Sequence, residues 1–223
     1  VIKRKSDEAY AALRSQIMCA QLPPGAPLDE RALMEALGVG RTPLREAVLR
    51  LEHERLVRSL GRRGYIVAET SPLDLFRAFE LRREIECFAA SCAAERRTEA
   101  DLEAFKVFLA RAEEGMERMA ANMPWNLGVD EQFHSLVAEA SDNRFVSETL
   151  AYLYGLSVRS LYTSRVPATL VREEMAIYRE VLDAIARRDR AAAADAMGRH
   201  LTVSPIANVV ATGGTVRARR GAS

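Results

Sequence analysis

Asp130 and His134 stand four residues apart, the spacing that puts two side chains on one face of a helix. His200 lies in a second helical stretch further along the chain. Imidazole nitrogen and carboxylate oxygen both bind divalent zinc, nickel or manganese, so the three residues form a candidate metal centre if the fold brings them together. Spacing alone does not show convergence, and histidines packed in a core or lying on a surface are the plainer reading of the pattern. A second set of residues points to different chemistry. Arg41, Arg45 and Arg50 point away from an apolar stripe, and Arg62-Arg63 sits between Gly61 and Gly64 in a short turn. A guanidinium forks guanine O6 and N7 or a phosphate, so arginines in this pattern suit a nucleic-acid surface.

The elements that must position these arginines are compact. Asp29 to Leu37 carries apolar residues at helical spacing behind an acidic start, and Gly38-Val39-Gly40 breaks that helix. Thr42-Pro43 opens a second helix, with Thr42 at the cap and Pro43 at the first helical position, running from Leu44 to about Leu56. It buries Leu44, Ala47, Val48, Leu51 and Leu56, and a hairpin over residues 56–67 follows with the two arginines at its tip. Two helices joined by a tight turn and followed by a basic hairpin make a winged helix-turn-helix, an object shaped for a DNA groove. Charge alone would be met equally well by a solvated face. Residues 1–70 nevertheless hold 12 basic and 9 acidic groups, whereas the rest hold 20 and 22, so the basic excess is confined to this part.

Beyond Ala68-Glu69-Thr70-Ser71-Pro72 the periodicity is helical throughout. Helices are expected from Leu73 to about Ala94, with Leu75, Phe76, Phe79, Leu81, Ile85, Phe88 and Ala89 apolar, and from Thr98 to about Met119. Others span about Trp125 to Ala140, Phe145 to Ser164, Ala168 to Arg188 and Arg190 to Val210, with breaks at Asn122-Met123-Pro124, Ser141-Asp142-Asn143, Val166-Pro167 and Asp189. Six helices with short connections make an antiparallel bundle. The fold class is therefore mainly α. The expected division is a winged helix-turn-helix over 1–70, an all-helical effector-binding and dimerisation domain over 71–210, and a disordered basic tail over 211–223. An aromatic share of 6% agrees with mostly helix, and no apolar run approaches the ~20 residues of a membrane span. Lys3-Arg4-Lys5 leads into an amphipathic helix rather than a signal peptide. Cys19, Cys87 and Cys92 have no Cys-x-x-Cys spacing and are expected as reduced thiols of a cytoplasmic protein.

The runs Pro24-Gly25-Ala26-Pro27-Leu28-Asp29-Glu30-Arg31 and Gly38-Val39-Gly40-Arg41-Thr42-Pro43-Leu44-Arg45-Glu46-Ala47, with Leu51-Glu52, resemble the N-terminal domain of GntR-type bacterial transcription regulators. The resemblance implies that Arg31, Arg41, Thr42 and Arg45 meet bases and phosphates in the major groove, and that Arg62, Arg63 and Gly64 place the wing at the minor groove. Gly40 stands where a small hydroxyl residue is common, and Arg55 where the motif usually has glycine.

Residues 72–210 resemble the FCD ligand-binding domain of the FadR-like branch. The resemblance rests on Arg82-x-x-Ile85-Glu86, Asp130-Glu131-Gln132-Phe133-His134 with Leu136 and Asn143, and Ala184-Ile185-Ala186-Arg187-Arg188-Asp189 with His200. It implies an acidic effector beside a divalent ion, zinc, nickel or manganese, held by Asp130, His134, His200 and one further histidine. At that last position the chain has Tyr178, a phenol of pKa near ~10 and a poor ligand at neutral pH. Two outcomes stay open: a centre held by three residues with water or effector completing it, or a metal-free pocket in which Tyr178 and arginines bind ligand. Arg82 would fork an effector carboxylate or pair with Glu86 one turn on; Arg159 would reach the pocket or stay in solvent. Trp125 and Phe133 are expected in the core and His53 on the surface.

The reading is a homodimeric, ligand-responsive DNA-binding repressor, released when a small organic or sugar acid enters the bundle and shifts the placement of the DNA-binding domains. One alternative is a constitutive DNA-binding protein with a decayed effector site. Another is a metalloenzyme on Asp130, His134 and His200, against which stands the lack of a visible general base or activated nucleophile.

Overall fold

In the computed structural model the described residues are 4–69, 71–119, 122–162 and 168–203, with the side chains of 72, 117, 123, 158–162, 168–172 and 203 also outside the description. The chain divides into two compact units, Val1–Ser71 and Pro72–Ser223.

In the first unit, α1 (Lys5–Met18) buries Ala9, Leu13 and Ile17 against α3 (Arg41–His53). Polar contacts fix the same pairing. Tyr10 donates its hydroxyl proton to Glu54 at 2.6 Å, and Arg50 lies 3.9 Å over the Tyr10 ring while pairing with Asp7 at 2.8 Å. The intervening α2 (Glu30–Leu37) is capped by Asp29, whose carboxylate accepts from the Arg31 and Ala32 amides, and ends at Gly38 in the left-handed region.

Helix α3 starts earlier than Thr42-Pro43 indicates. Its cap is Gly40, whose extended backbone accepts from the Leu44 amide at 3.2 Å, so Thr42 and Pro43 lie inside the first turn. Proline is tolerated there because first-turn amides have no partner within the helix. The helix also ends sooner, at His53, because Arg55 takes a φ of +55°, the left-handed conformation that glycine adopts without cost. Leu56 is buried beyond the helix end. The hairpin forms from β2 (Val57–Ser59) and β3 (Tyr65–Val67) around a 3-10 turn at Gly61–Arg63. A two-residue strand not expected from the sequence, β1 (Pro27–Leu28), pairs with β3 and completes an antiparallel sheet of order β1-β3-β2.

The second unit holds six helices among its described residues: α4 (Pro72–Arg96), α5 (Glu99–Met119), α6 (Met123–Ala140), α7 (Arg144–Tyr162), α8 (Ala168–Ala186) and α9 (Arg190–Val203). The starts follow ordinary capping chemistry, and α6 begins within the stretch read as a break, ahead of Trp125. Thr98 and Asp101 form a reciprocal box at α5, Asn122 accepts from the Trp125 amide at α6, and Asp189 accepts from the Ala192 amide at α9. The expected extension of the last helix to Val210, the tail over 211–223 and the break at Val166-Pro167 lie outside the described residues. No helix of the described residues is long and apolar enough to cross a membrane.

The central element is α4, which lies against α6, α7, α8 and α9. Its inward face is not the apolar set read from the sequence. Phe76, Leu81 and Phe88 are 39%, 50% and 51% exposed, while Arg82 and Glu86 are fully buried alongside Ala89, Ala90 and Ala93. A stripe of small residues lets neighbouring helices approach α4, and two charges face the interior with them. Phe108, Phe133, Val137, Tyr178, Val181, Ile185 and Met197 fill the rest of the core.

Two helical glycines differ in how closely a neighbouring helix approaches. A Cβ on Gly115 of α5 would lie 2.4 Å from the Trp125 ring, whereas one on Gly128 of α6 would meet nothing within 4 Å. Gly115→Ala is expected to destabilise the protein by about 1–3 kcal/mol, the usual cost of overpacking. Gly128→Ala should be neutral or stabilise by up to about 1 kcal/mol through helix propensity. Thermal unfolding of both variants checks the pair; a Gly115→Ala protein melting at or above the parent would mean the indole swings freely aside.

Candidate metal centre and nucleic-acid interface

Four helices converge on the buried charges of the second unit. From α6, Asp130 and His134 project one turn apart; α9 contributes His200, α8 contributes Tyr178, and α4 contributes Arg82 and Glu86. His134 Nε2 lies 3.2 Å from His200 Nε2 and 3.4 Å from Asp130 Oδ1, and His200 Nε2 lies 3.7 Å from the same oxygen. These three donors are the one group of potential metal ligands clustered this tightly among the described residues. The spacing tests the chemistry. A tetrahedral ion with bonds of ~2.0–2.1 Å needs donor atoms about 3.3 Å from one another, which this triangle provides.

The surroundings of His134 fix its ring. Its Nδ1 meets Glu86 Oε2 in a very short contact, and Glu86 Oε1 accepts from Arg82 Nε at 2.7 Å. A carboxylate on Nδ1 fixes ring orientation and tautomer, leaving Nε2 as the donor that faces Asp130 and His200. Burial opposes the charge on Glu86, but His134 and Arg82 outweigh it and bring its carboxyl down to about 2. Burial likewise opposes ionisation of Asp130, yet His134, His200 and Arg82 hold it well below the usual carboxylate range. His200 is pushed down to about 3 by burial and by the neighbouring His134, which keeps it neutral, the form a metal requires. For His134 burial lowers the pKa, but Glu86 and Asp130 leave it raised overall.

Tyr178 does not serve as an anionic ligand here. It donates its phenolic proton to Asp130 Oδ1 at 2.8 Å, and burial and the Asp130 charge push its pKa well above the ordinary phenol value. Its ring stacks on Phe133 at 4.1 Å between centroids, and Phe133 also meets His134 and His200 edge-on at 5.1 and 5.5 Å. Phe133 is thus a core residue, and it packs the two imidazole rings into place. Trp125 is half-buried against Gly115 rather than in this cluster.

Arg82 takes the second of its two alternatives, the pair with Glu86 one turn on. Its Nε is held by Glu86, while the two terminal nitrogens are buried with no hydrogen-bond partner, and its guanidinium lies 4.8 Å from the Tyr154 ring centroid. A buried guanidinium with two open nitrogens offers the fork that a carboxylate fits. The side chain of Arg159 lies outside the described residues. Three contributors carry no spacing signal in the sequence, because each stands on a different helix from Asp130 and His134. Glu86 orients His134, Tyr154 lies under the guanidinium, and the Glu174 carboxyl of α8 is raised to about 8 by burial and by the nearby charge of Asp130.

In the first unit, Arg41 and Arg45 are exposed one turn apart near the start of α3, with Thr42 exposed beside them. Both guanidiniums lie at the edge of ion-pairing distance from Glu30, at 3.9 and 4.0 Å. Arg31 is exposed at the start of α2, and Arg62 and Arg63 are exposed on the wing turn. Gly64 closes that turn at φ +85°, which an L side chain resists. His53 is exposed at the end of α3.

Comparison with known proteins agrees in both units. The model of the FCD domain matches residues 77–203, and that of bacterial regulatory proteins of the gntR family matches residues 5–67. The HTH-type transcriptional repressor RspR of Escherichia coli K12 is 28% identical over 200 residues, spanning 88% of this chain and 85% of its own length. A transcriptional regulator from the TAR-I ttuE-ttuC' intergenic region of Agrobacterium vitis is 36% identical over 139 residues, 60% of this chain and 79% of its own. The solved structure of E. coli McbR/YncC superposes with a TM-score of 0.79 at 23% identity, over 95% of this chain and 99% of that one, and supports the fold.

The Glu86–His134 contact predicts a measurable effect. Removing such a carboxylate from a metal-binding histidine typically costs 10–100-fold in affinity. Glu86→Gln is therefore expected to weaken zinc binding by about 10–100-fold in competition against a chromophoric chelator. Unchanged affinity in a folded variant would mean that His134 does not need its partner.

Proposed function

The chain belongs to the gntR family of bacterial regulatory proteins, in the branch that carries an FCD domain, and from that premise we propose a metal-assisted repressor that a small carboxylate releases from its operator. It is a DNA-binding transcriptional regulator and not an enzyme. One observation carries the finer reading: the donor triangle of Asp130, His134 and His200 stands in the same buried cluster as a guanidinium with two open nitrogens.

In this reading Asp130, His134 and His200 hold a divalent ion, which supplies positive charge for an anionic ligand. Arg82 forks the ligand's carboxylate with its terminal nitrogens while Glu86 keeps its Nε in place. Tyr178 stays protonated and steadies Asp130 through its hydrogen bond. Any further contact from Arg159 belongs to the same proposal. In the DNA-binding unit, Arg41 and Arg45 read base edges from the exposed start of α3, with Thr42 and Arg31 on phosphate, and the wing carries Arg62, Arg63 and Gly64 to the minor groove. A homodimer in the cytoplasm would present two such units to half-sites of one operator. The name of RspR, a repressor, favours repression over activation.

The test begins with a duplex selected from random DNA by the zinc-loaded protein. Arg45→Ala should weaken binding to that duplex by about 1–3 kcal/mol and relax the choice of base at one position. Arg62→Ala should weaken all duplexes alike and shallow the salt dependence by about one counterion. Small mono-, di- and hydroxycarboxylates are then added to the complex. Release by at least one acid, at lower concentration with zinc than after chelation, is expected. Release only by uncharged sugars, or equal release with and without zinc, would overturn the reading.

A further inference from the structure

We propose that Leu49 reads a thymine of the operator, its side chain packing on the 5-methyl group in the major groove. The inference rests on the reading that α3 enters that groove, and it adds a base contact to it. Among the described residues of the first unit, Leu49 and Leu60 are the large apolar side chains left exposed, at 55% and 39%. Leu49 stands on α3 in line with Thr42 and Arg45. At about 3.6 residues per turn it lies about 40° around the axis from Arg45 and about 20° from Thr42. Leu44, Ala47, Val48 and Leu51, the buried residues of the helix, lie on the opposite side.

Its neighbours one turn away on the same helix are Arg45, Glu46, Glu52 and His53, so no apolar side chain of α3 covers it. Arg50, next in sequence, is turned toward Tyr10 and Asp7 of α1. A phosphate backbone offers a leucine nothing. The apolar group that B-DNA presents in its major groove is the thymine methyl, beside the donors and acceptors that arginine and threonine take. Leu49 follows Arg45 by four residues, a rise of about 6 Å, against about 3.4 Å per base step. With Arg45 on a guanine, the thymine therefore lies within about two base pairs of it. Withdrawing leucine and methyl from water together stabilises the complex without adding charge. The contact thus sharpens the choice of base and leaves the salt dependence alone.

The experiment measures the affinity of the full chain, of Leu49→Ala and of Arg45→Ala for the duplex selected by the zinc-loaded parent. Copies of that duplex in which deoxyuridine replaces the thymines one at a time are measured beside it. Deoxyuridine pairs as thymidine does and lacks only the methyl. One such replacement, within about two base pairs of the position relaxed in R45A, is expected to weaken binding of the parent about fourfold, the cost of one methyl-sized apolar group. The same replacement should leave L49A unaffected, whose binding to the original duplex is already at least about fourfold weaker. The melting temperature of L49A and the slope of its affinity against salt should match those of the parent. Tolerance of deoxyuridine at every position overturns the inference, as does a loss of equal size in L49A, which assigns the methyl to another group. An L49A protein that melts well below the parent overturns it in favour of packing within the chain. An R45A protein with parental affinity and base choice removes α3 from the groove and overturns the inference together with the reading beneath it.

Discussion

A guanidinium with no access to water sits inside the helical unit, and the surrounding structure is arranged to keep it there. Arg82 and Glu86 are both fully buried, paired one turn apart on α4, and Glu86 passes the interaction to His134 on α6. Burying an ion costs several kcal/mol even after relaxation, and removing one partner of such a pair costs about 3–5 kcal/mol. This network therefore adds little net stability. What it gains is placement. A cluster that stabilises the fold only when every member is present fixes the rotation of α4 and the ring of His134 together, and a metal site needs its donors held to fractions of an ångström. The small residues that follow on α4, Ala89, Ala90 and Ala93, let its neighbours come close enough for residues from four helices to meet.

The DNA-binding unit solves the opposite problem, since its charges must stay outside. Arg50 is used structurally, stacked on Tyr10 and paired with Asp7, and so ties α3 to α1. Arg41 and Arg45 are spared that duty. Their only ion-pair partner among the described residues is Glu30, at distances where solvent screening leaves little attraction, so both remain available to an incoming polyanion. The separation of roles follows helical geometry: Arg41 and Arg45 lie one turn apart at the open end of α3, and Arg50 lies at its far end, beside α1.

Legibility of the sequence differed from element to element for physical reasons. Asp29, Thr98 and Asp189 announce helix starts because a short polar side chain replaces missing amide partners, and those starts are found in the structure, whereas Asn122 reads as part of a break and caps α6 ahead of the start expected at Trp125. Gly40 caps α3 without a side chain, so it left no signal, and Thr42-Pro43 drew the start too late. Strand β1 is two residues long and exists only because β3 offers it an edge. On α4 the apolar pattern misled, since Phe76, Leu81 and Phe88 face outward while Arg82 and Glu86 take the interior. Hydrophobicity predicts a face only where partners for charge are absent, and here the partner, His134, stands 48 residues further along the chain. Asp130 and His134 were legible by spacing. His200 was a candidate by residue type alone, and its meeting with the pair was not legible, because no local pattern links helices that meet by folding.

The same network gives a reason for ligand and metal to be felt together. Arg82 has one nitrogen committed to Glu86 and two that are open, and Glu86 has one oxygen on Arg82 and the other on His134. On the proposed function, an anion that forks the open nitrogens draws the guanidinium charge partly away from Glu86. Glu86 then becomes a stronger acceptor for the His134 Nδ1 proton, and the opposite nitrogen a better electron donor to a cation. A cation bound there polarises the chain in reverse and leaves Arg82 more attractive to an anion. Linkage requires the two effects to be equal in free energy, so an acid that tightens metal binding must itself bind more tightly to the metal-loaded protein. A tyrosine in place of a third histidine suits such coupling. A centre with three strong protein donors keeps a position through which an anion can reach the ion, whereas four would close it.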